Sequence, residues 1–520
     1  MTDPLNARTW LSADPDFHFP ETKTDLANRT APVGLCFSGG GTRALSAGMG
    51  QLRALHAMGL LDRARYLSCV SGGSWLSTAF TYYATGADND GEFLGAVTAP
   101  ASINMDTLTA PIAKSCVGWT ATNQLMPTFR RHATSALPKP QVWVETVGEM
   151  YFQPWGLHDG AHPRAFTLDA ASRDDILRRN PSLQADDFHL ARPNRPYLIV
   201  NGAVVGVPGL HPLEELNPSP LEMTPLYGGS PYGWEVLFRG KDRRWESHWI
   251  GGGFTETFAL GSTYPYRLCD ASGTSSAFLA GFTQNVPGAL SEGNPVLDMR
   301  PVTDPQAPAR TFYMGDGGVV DNYGLLALMR RKVPRAIVFI NTSDPLNLAY
   351  DARTQTPKSS DIDAYLPPLF GFPVAQTGVQ TGANRVFRPR DLAPIVETLQ
   401  AAKRAGGPLV ARTKLEVQAN VWWGIEGGWT MDVMWVYLDR SSSFEASIGD
   451  ERVRKELDRR SHPLRPRQGK FAKFPNYSTS FHNGPDMVML TPEQVKLLAD
   501  HTCWTVISSQ ALIAPMFAGE

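Results

Sequence analysis

The sequence predicts an α/β fold with a largely parallel central sheet and long insertions, and three observations carry that expectation. Pro32-Val33-Gly34-Leu35-Cys36-Phe37, Tyr66-Leu67-Ser68-Cys69-Val70 and Arg335-Ala336-Ile337-Val338-Phe339-Ile340 are short apolar runs, the pattern of buried strands. The first two break into glycine-rich turns, Ser38-Gly39-Gly40-Gly41-Thr42 and Ser71-Gly72-Gly73-Ser74. Helical spacing then follows, with Leu45, Met49, Leu52 and Leu55 after the first turn and Leu325-Leu326-Ala327-Leu328-Met329 before the third strand.

Residues 1–31 read as a polar lead segment, because Met1 to Asn28 has neither a basic n-region nor an apolar h-region, so no Sec-type signal is expected. The remainder, 32–520, reads as one catalytic unit, since the motifs near its start and in its middle must share a sheet.

Three consecutive glycines at a strand end let backbone N–H groups turn toward a ligand with no side chain in the way. The helix that follows points its positive pole at the same loop. Gly40 and Gly41 are the leading oxyanion donors, with Gly39 the third. Gly39-Gly40-Gly41-Thr42-Arg43-Ala44 also satisfies G-x-G-x-x-A, the dinucleotide fingerprint. That alternative needs an acidic residue at the end of the next strand, where Val70-Ser71 stands instead. A Walker-type phosphate loop fails too, as no Gly-Lys-Ser/Thr follows.

Ser71 sits where a strand breaks toward a helix, the turn that lifts a nucleophilic hydroxyl clear of a sheet. Such a turn needs small neighbours, and Cys69 and Gly73 flank Ser71 at two residues on either side. Ser74 is the weaker candidate, because Leu76 would crowd its turn.

Residues 85–190 read as a cap or insertion and 345–415 as a loop-rich insertion containing a helix near Ile395–Arg404. Arg195–Gly202 reads as a further strand, and Ala277-Phe278-Leu279-Ala280 as a helix start. Thr311-Phe312-Tyr313-Met314 is then a strand that ends in Gly315-Asp316-Gly317-Gly318. An Asp-Gly turn is common by itself, but the β-turn-α-β order around this one places Asp316 at the carboxyl end of a parallel strand, where open α/β sheets build sites. Asp321 in the same loop reads as a helix N-terminal residue. Asn420–Ile425 and Met431–Leu438 read as strands that end the sheet, and Thr491-Pro492-Glu493-Gln494 as the cap of a C-terminal helix. Residues 451–473 hold nine Lys/Arg against three Asp/Glu. That segment reads first as a solvated helix and loop, and second as a patch for anionic lipid headgroups.

The ordered set Ser38-Gly39-Gly40-Gly41-Thr42-Arg43-Ala44, Val70-Ser71-Gly72-Gly73-Ser74-Trp75 and Asp316-Gly317-Gly318 resembles the patatin-like phospholipase superfamily. The arginine after the glycines and the Ser-Gly-Gly-Ser-Trp ending are closer to its cytosolic phospholipase A and lysophospholipase branch. The resemblance covers 33–80 and 311–345. It implies a three-layer α/β/α patatin-like fold, Ser71 as nucleophile and Asp316 as its only base. It further implies that Arg43 helps hold substrate phosphate, and that Asn322 occupies the branch's asparagine position at the substrate. Cys69 departs from the family's usual glycine before the serine.

Chemically, Asp316 would take the Ser71 proton as the hydroxyl attacks an ester, giving an acyl-enzyme that water cleaves. An aspartate serves as base at neutral pH only if partly desolvated, so a dry site with a raised carboxylate pKa is expected. Of the eleven histidines, His248, beside Trp249 and Gly251-Gly252-Gly253, comes nearest to a strand-end setting; none lies in a sharp Gly/Ser turn.

The 520 residues carry a net charge of −2, which argues against general nucleic-acid binding, and contain no apolar run of membrane-spanning length. Five cysteines with no C-x-x-C pair fit a reducing compartment, so cytoplasm is expected, with membrane contact through loops. No metal or other cofactor is expected: Asp88-Asn89-Asp90-Gly91-Glu92 fails the EF-hand register, and no H-E-x-x-H is present. The expected partner is a lipid at a membrane or micelle surface, and the expected activity is hydrolysis of phospholipid or lysophospholipid esters. An acyltransferase using the same pair, a catalytically silent lipid-binding protein and a nucleotide-dependent oxidoreductase are the alternatives.

Overall fold

A computed structural model describes residues 5–24, 31–206, 218–231, 233–239, 245–261, 264–278, 293–300, 302, 309–376, 379–380, 385–459, 469–479 and 489–518. Among the described residues, twelve strands form the main sheet. In chain order they are β1 (Thr9–Leu11), β2 (Val33–Phe37), β3 (Tyr66–Val70), β4 (Tyr197–Gly206), β5 (Ser219–Met223), β6 (Tyr227–Ser230), β7 (Gly253–Glu256), β8 (Val296–Met299), β9 (Arg310–Asp316), β10 (Arg335–Ile340), β11 (Val410–Val417) and β12 (Trp429–Tyr437). The helices that matter to the site are α1 (Gly41–Ala57), α2 (Gly72–Tyr82), α3 (Lys139–Val147), α4 (Leu268–Ser275), α5 (Leu325–Arg330), α6 (Leu392–Arg404) and α7 (Pro492–Ser508).

Across the sheet the strands run β1-β7-β6-β5-β4-β3-β2-β10-β12-β11, and β9 pairs with both β8 and β4. The central five, β4, β3, β2, β10 and β12, are parallel neighbours. Strands added on either side are antiparallel. Gly48 of α1 lies against Phe37 and Leu76, while Gly34, on the other face of β2, lies against Leu328 of α5. Helices thus cover both faces, the three-layer α/β/α arrangement that the resemblance implied.

The position of the site follows from the register on β4. Parallel β3 pairs with Tyr197–Asn201 and ends at Val70, opposite Asn201. Antiparallel β9 pairs with the other half of the same edge and ends at Asp316, opposite Gly202. Because β5 occupies the opposite edge of β4, β3 and β9 point at each other and stop at adjacent residues. Asp316 therefore ends an antiparallel strand, not the parallel one expected from the β-turn-α-β order. The direction of β9 is set by its pairing partners, which local sequence does not encode.

Other expectations meet the structure with similar adjustments. Asn420–Ile425 is a 3₁₀ turn closed by an isolated bridge, and β12 lies inside the sheet because β11 forms the edge. Trp423 and Trp435 are buried core residues. Helix α4 ends at Ser275, so Ala277 and Phe278 follow a helix instead of starting one, and Leu279 and Ala280 fall outside the described residues. Helix α7 begins at the expected cap, where the Thr491 hydroxyl accepts the Gln494 N–H and the Gln494 side chain accepts the Thr491 N–H. Of the basic segment, Glu451–Arg459 is a helix, in which Arg452, Lys455 and Arg459 are ion-paired with nearby carboxylates; residues 460–468 lie outside the described residues.

The lead segment packs onto the sheet. Strand β1 pairs with β7, and Phe17 stacks on Phe254 at 5.7 Å. Glu21 is fully buried and accepts from Arg331, which also bridges to buried Glu222. These carboxylates are tolerable inside because the Arg331 guanidinium lies between them, with Arg330 on Glu222 and the Tyr227 hydroxyl on Glu21 as further partners.

Candidate active site

Ser71 adopts φ 51° and ψ −126°, a conformation that few side-chain-bearing residues take. The turn forms because its neighbours are small: a Cβ on Gly72 would overlap the Gly41 carbonyl, and one on Gly73 would come within 2.6 Å of the Phe37 oxygen. Cys69, the departure noted above, is buried in β3 with its thiol 3.5 Å from the Ile199 carbonyl. Ser74 does not compete, since its hydroxyl donates to the Ser71 carbonyl at 2.6 Å.

Although they are 245 positions apart in sequence, Ser71 and Asp316 touch: Ser71 Oγ donates to Asp316 Oδ2 at 2.8 Å. The other carboxylate oxygen, Oδ1, accepts the Gly318 N–H at 2.8 Å, which fixes the rotamer. Ser71 and Asp316 are 9% and 7% exposed, so water reaches the pair without solvating it. Burial pushes the Asp316 carboxyl up from 3.8 to about 6, against the pull of the Gly318 and Ser71 hydrogen bonds. Among the described residues no histidine hydrogen-bonds to either member. His248 lies in a separate two-stranded ribbon, Trp234–Arg239 with Trp245–Ile250, and His211, His462 and His482 fall outside the described residues.

The glycine loop faces this pair, with the Ser71 Cβ 3.0 Å from where a Cβ of Gly39 would stand. Gly39 donates its own N–H to the Asn322 carbonyl at 3.0 Å. By contrast, no acceptor is found for the Gly40 or Gly41 N–H among the described residues. Gly40 has φ 134°, open to glycine and strained for any other residue, and Gly41 opens α1. These two amides, at the positive end of a 17-residue helix, are placed to stabilise negative charge.

Arg43 points inward. It is 7% exposed, its Nε donates to the Asn341 carbonyl at 2.8 Å, its Nη1 to the Tyr477 carbonyl, and its Nη2 lies against Gly40. Burial pulls its pKa down to about 10 while Asp344 and Asp363 hold it up, so it stays a cation at neutral pH. Thr479 donates to the Gly40 carbonyl at 2.6 Å from the other side. The Asn322 side-chain oxygen projects between Gly39 and Gly318, bordering both loops. Asp321 is engaged elsewhere, its carboxylate accepting the Tyr323 and Leu326 N–H groups at the start of α5.

Sequence reasoning missed several residues in this arrangement. Ser275 Oγ accepts the Ser71 N–H at 3.0 Å and donates to the Asn201 carbonyl at 2.5 Å. Partly buried Tyr365 lies near enough to Asp316 for that charge to push its phenol up, after desolvation itself. The one available signal for Ser275 is the hydroxyl-rich run Ser272-Gly273-Thr274-Ser275-Ser276, unusual for a helix facing a core.

No family model matches the chain, and no curated protein matches it. Among solved structures, it is similar to human GIVD cytosolic phospholipase A2 at 13% identity and TM-score 0.49, covering 99% of this chain and 66% of that one. The complexes of that protein with methyl gamma-linolenyl fluorophosphonate, with and without terbium chloride, give TM-scores of 0.45 and 0.43 at 14% and 13% identity. The chain spans 66% and 65% of those two chains.

Two outcomes follow from the raised Asp316 pKa. If Asp316 acts as a base it must be ionised, so log kcat/KM on an uncharged ester should rise with unit slope below about pH 6 and level off above it. The same burial costs stability. The folded pKa of about 6 lies above the unfolded value of 3.8, so the penalty is fully present above pH 6 and fades as pH falls toward 3.8. Asp316→Asn should raise Tm at pH 8, by up to about 3 kcal/mol in unfolding free energy, with the advantage vanishing near pH 4.

Proposed function

We propose that the chain is a serine lipid acyl hydrolase of the patatin-like type, acting on carboxylic esters of phospholipids or lysophospholipids through Ser71 and Asp316. The observation that carries this reading is the 2.8 Å bond from Ser71 Oγ to a desolvated Asp316, on a positive-φ turn that faces two N–H groups of the glycine loop. A buried carboxylate with raised pKa is the base that a dyad without histidine requires. The lipid class of the substrate rests on the resemblance of the motif set.

In the proposed reaction Ser71 Oγ attacks the ester carbonyl while its proton passes to Asp316 Oδ2. Charge developing on the carbonyl oxygen meets the Gly40 and Gly41 N–H groups and the positive end of α1. Collapse breaks the ester bond, and Asp316 returns the proton to the departing alcohol. Asp316 then takes a proton from water as the water oxygen attacks the acyl carbon, and Ser71 regains its proton when the fatty acid leaves. Arg43 acts mainly by holding the glycine loop, with Nη2 as the part left to meet a headgroup phosphate, and Asn322 borders the acyl carbon between the two loops.

Hydrolysis of a phospholipid, a lysophospholipid and a short-chain p-nitrophenyl ester should fall by about 10³-fold or more in Ser71→Ala and in Asp316→Ala, with circular dichroism unchanged. Turnover that survives Ser71→Ala would overturn the mechanism. Because two Arg43 nitrogens hold main-chain carbonyls, Arg43→Ala should lower kcat on the phosphate-free ester by at least about tenfold. A defect confined to KM on phosphate-bearing substrates would instead make Arg43 a headgroup contact alone.

A further inference from the structure

The meeting of β3 and β9 on one edge of β4 leaves a structural problem at the site. Each strand stops, so the N–H of Ser71, the first residue past β3, and the N–H of Asp316, the last residue of β9, find their acceptors outside these two ladders. Both are buried. A buried N–H without an acceptor is strongly disfavoured, and its cost here would fall on the two residues whose separation matters most.

The C-terminal turn of α4 fills the gap. Ser275 Oγ accepts the Ser71 N–H at 3.0 Å, and the Ala277 carbonyl accepts the Asp316 N–H at 3.3 Å. The Ser275 hydroxyl is oriented by its own donation to the Asn201 carbonyl at 2.5 Å, and Asn201 is the residue opposite which β3 ends. Asn201 is held in turn, its side-chain nitrogen donating to Ser68 Oγ at 2.9 Å and to the Cys69 carbonyl at 3.0 Å. Ser275 itself is fully buried. Helix α4 is also sewn to α2 and α3: Ser276 Oγ accepts the Trp75 and Trp143 indole N–H groups at 3.0 and 3.3 Å, and Thr78 and Ser272 hydroxyls meet at 3.0 Å. The terminus of α4 therefore reaches the main chain of both members of the pair, through the Ser275 side chain at Ser71 and the Ala277 carbonyl at Asp316.

We infer that Ser275 is a positioning residue for the proposed reaction: its hydroxyl bridges the Ser71 N–H to the Asn201 carbonyl and holds the strained turn in the rotamer that aims Ser71 Oγ at Asp316. Two consequences are specific. The Ser71 N–H is engaged by Ser275, so it is withheld from the oxyanion. The hydroxyl must both accept and donate, a requirement that threonine meets and alanine does not.

The inference rests on the reading of Ser71 as nucleophile, so the test carries its own reference. The rate of covalent labelling by an alkyl fluorophosphonate, located by mass spectrometry, measures how well Ser71 Oγ attacks, apart from lipid binding and deacylation. It is read alongside kcat and KM on a p-nitrophenyl ester in wild type, Ser275→Ala, Ser275→Thr and Ser276→Ala. Ser275→Ala should lower the labelling rate and kcat together, on the order of 100-fold, with KM within about twofold, as expected for a misplaced nucleophile. Ser275→Thr should restore most of both. Ser276→Ala, which removes a hydroxyl from the same turn without touching the pair, should lower Tm and leave both rates near wild type. Wild-type labelling at Ser71 with an unaltered rate in Ser275→Ala would overturn the inference alone, and so would equal rate losses in Ser275→Ala and Ser276→Ala, which would make the effect one of helix stability. Absence of labelling at Ser71 in the wild-type chain would bring down the hydrolase reading and this inference with it.

Discussion

The arrangement of the whole site depends on one register: β3 and β9 share an edge of β4 and end at Asn201 and Gly202. A parallel strand and an antiparallel strand that run toward each other on one partner must stop where they meet. Whatever follows each last residue then leaves the sheet at the same point. Here Ser71 leaves directly after β3 and Asp316 is the last paired residue of β9, so their separation is set by backbone hydrogen bonds, which are stiffer than any loop. The 2.8 Å contact between them is a consequence of strand pairing more than of their own attraction.

Around that junction the structure accepts local costs that the rest of the fold offsets. A serine at φ 51° carries strain of order 1–3 kcal/mol, and a carboxylate is held out of water beside it. Neither persists unless its surroundings leave it no alternative. The Ser74 hydroxyl fixes the Ser71 carbonyl, Gly72 admits the glycine loop into direct contact, and the Gly318 N–H locks the carboxylate. Arg43 and Thr479 brace the glycine loop from two directions, joining it to the end of β10 and to the 469–479 segment. Polar groups that elsewhere would be liabilities in a core are here mutually satisfied, which makes the site rigid.

Much of this was legible in the chain. The strands β2, β3 and β10, the helix after each glycine turn and the cap at Thr491 were readable, because each depends on spacing and on residues within a few positions. The triple glycine and the Ser-Gly-Gly-Ser turn pointed to chemistry for the same reason: a backbone that must approach another closely requires glycine, wherever the other backbone comes from. The direction of β9 is not legible in the chain, nor is the fact that β11, and not the tryptophan-rich segment near Trp422, forms the edge of the sheet. Both depend on which strand lies beside which, and a strand's own residues look alike next to a parallel or an antiparallel neighbour.

By itself, then, the sequence determined the central strands β2, β3 and β10, the helices after their turns, and the glycine-rich turns that carry Ser71, Asp316 and Gly39 to Gly41, since those properties reside in single residues and short segments. Tertiary structure alone decided that the two strand ends meet, that Gly39 lends its N–H to Asn322 while Gly40 and Gly41 find no acceptor among the described residues, and that Arg43 turns inward. It also decided that Ser275, 204 positions from Ser71, supplies the acceptor at the turn. The physical reason is common to all of them: hydrogen bonds between distant segments depend on register and burial, and neither is written in the identity of the residues that share the bond.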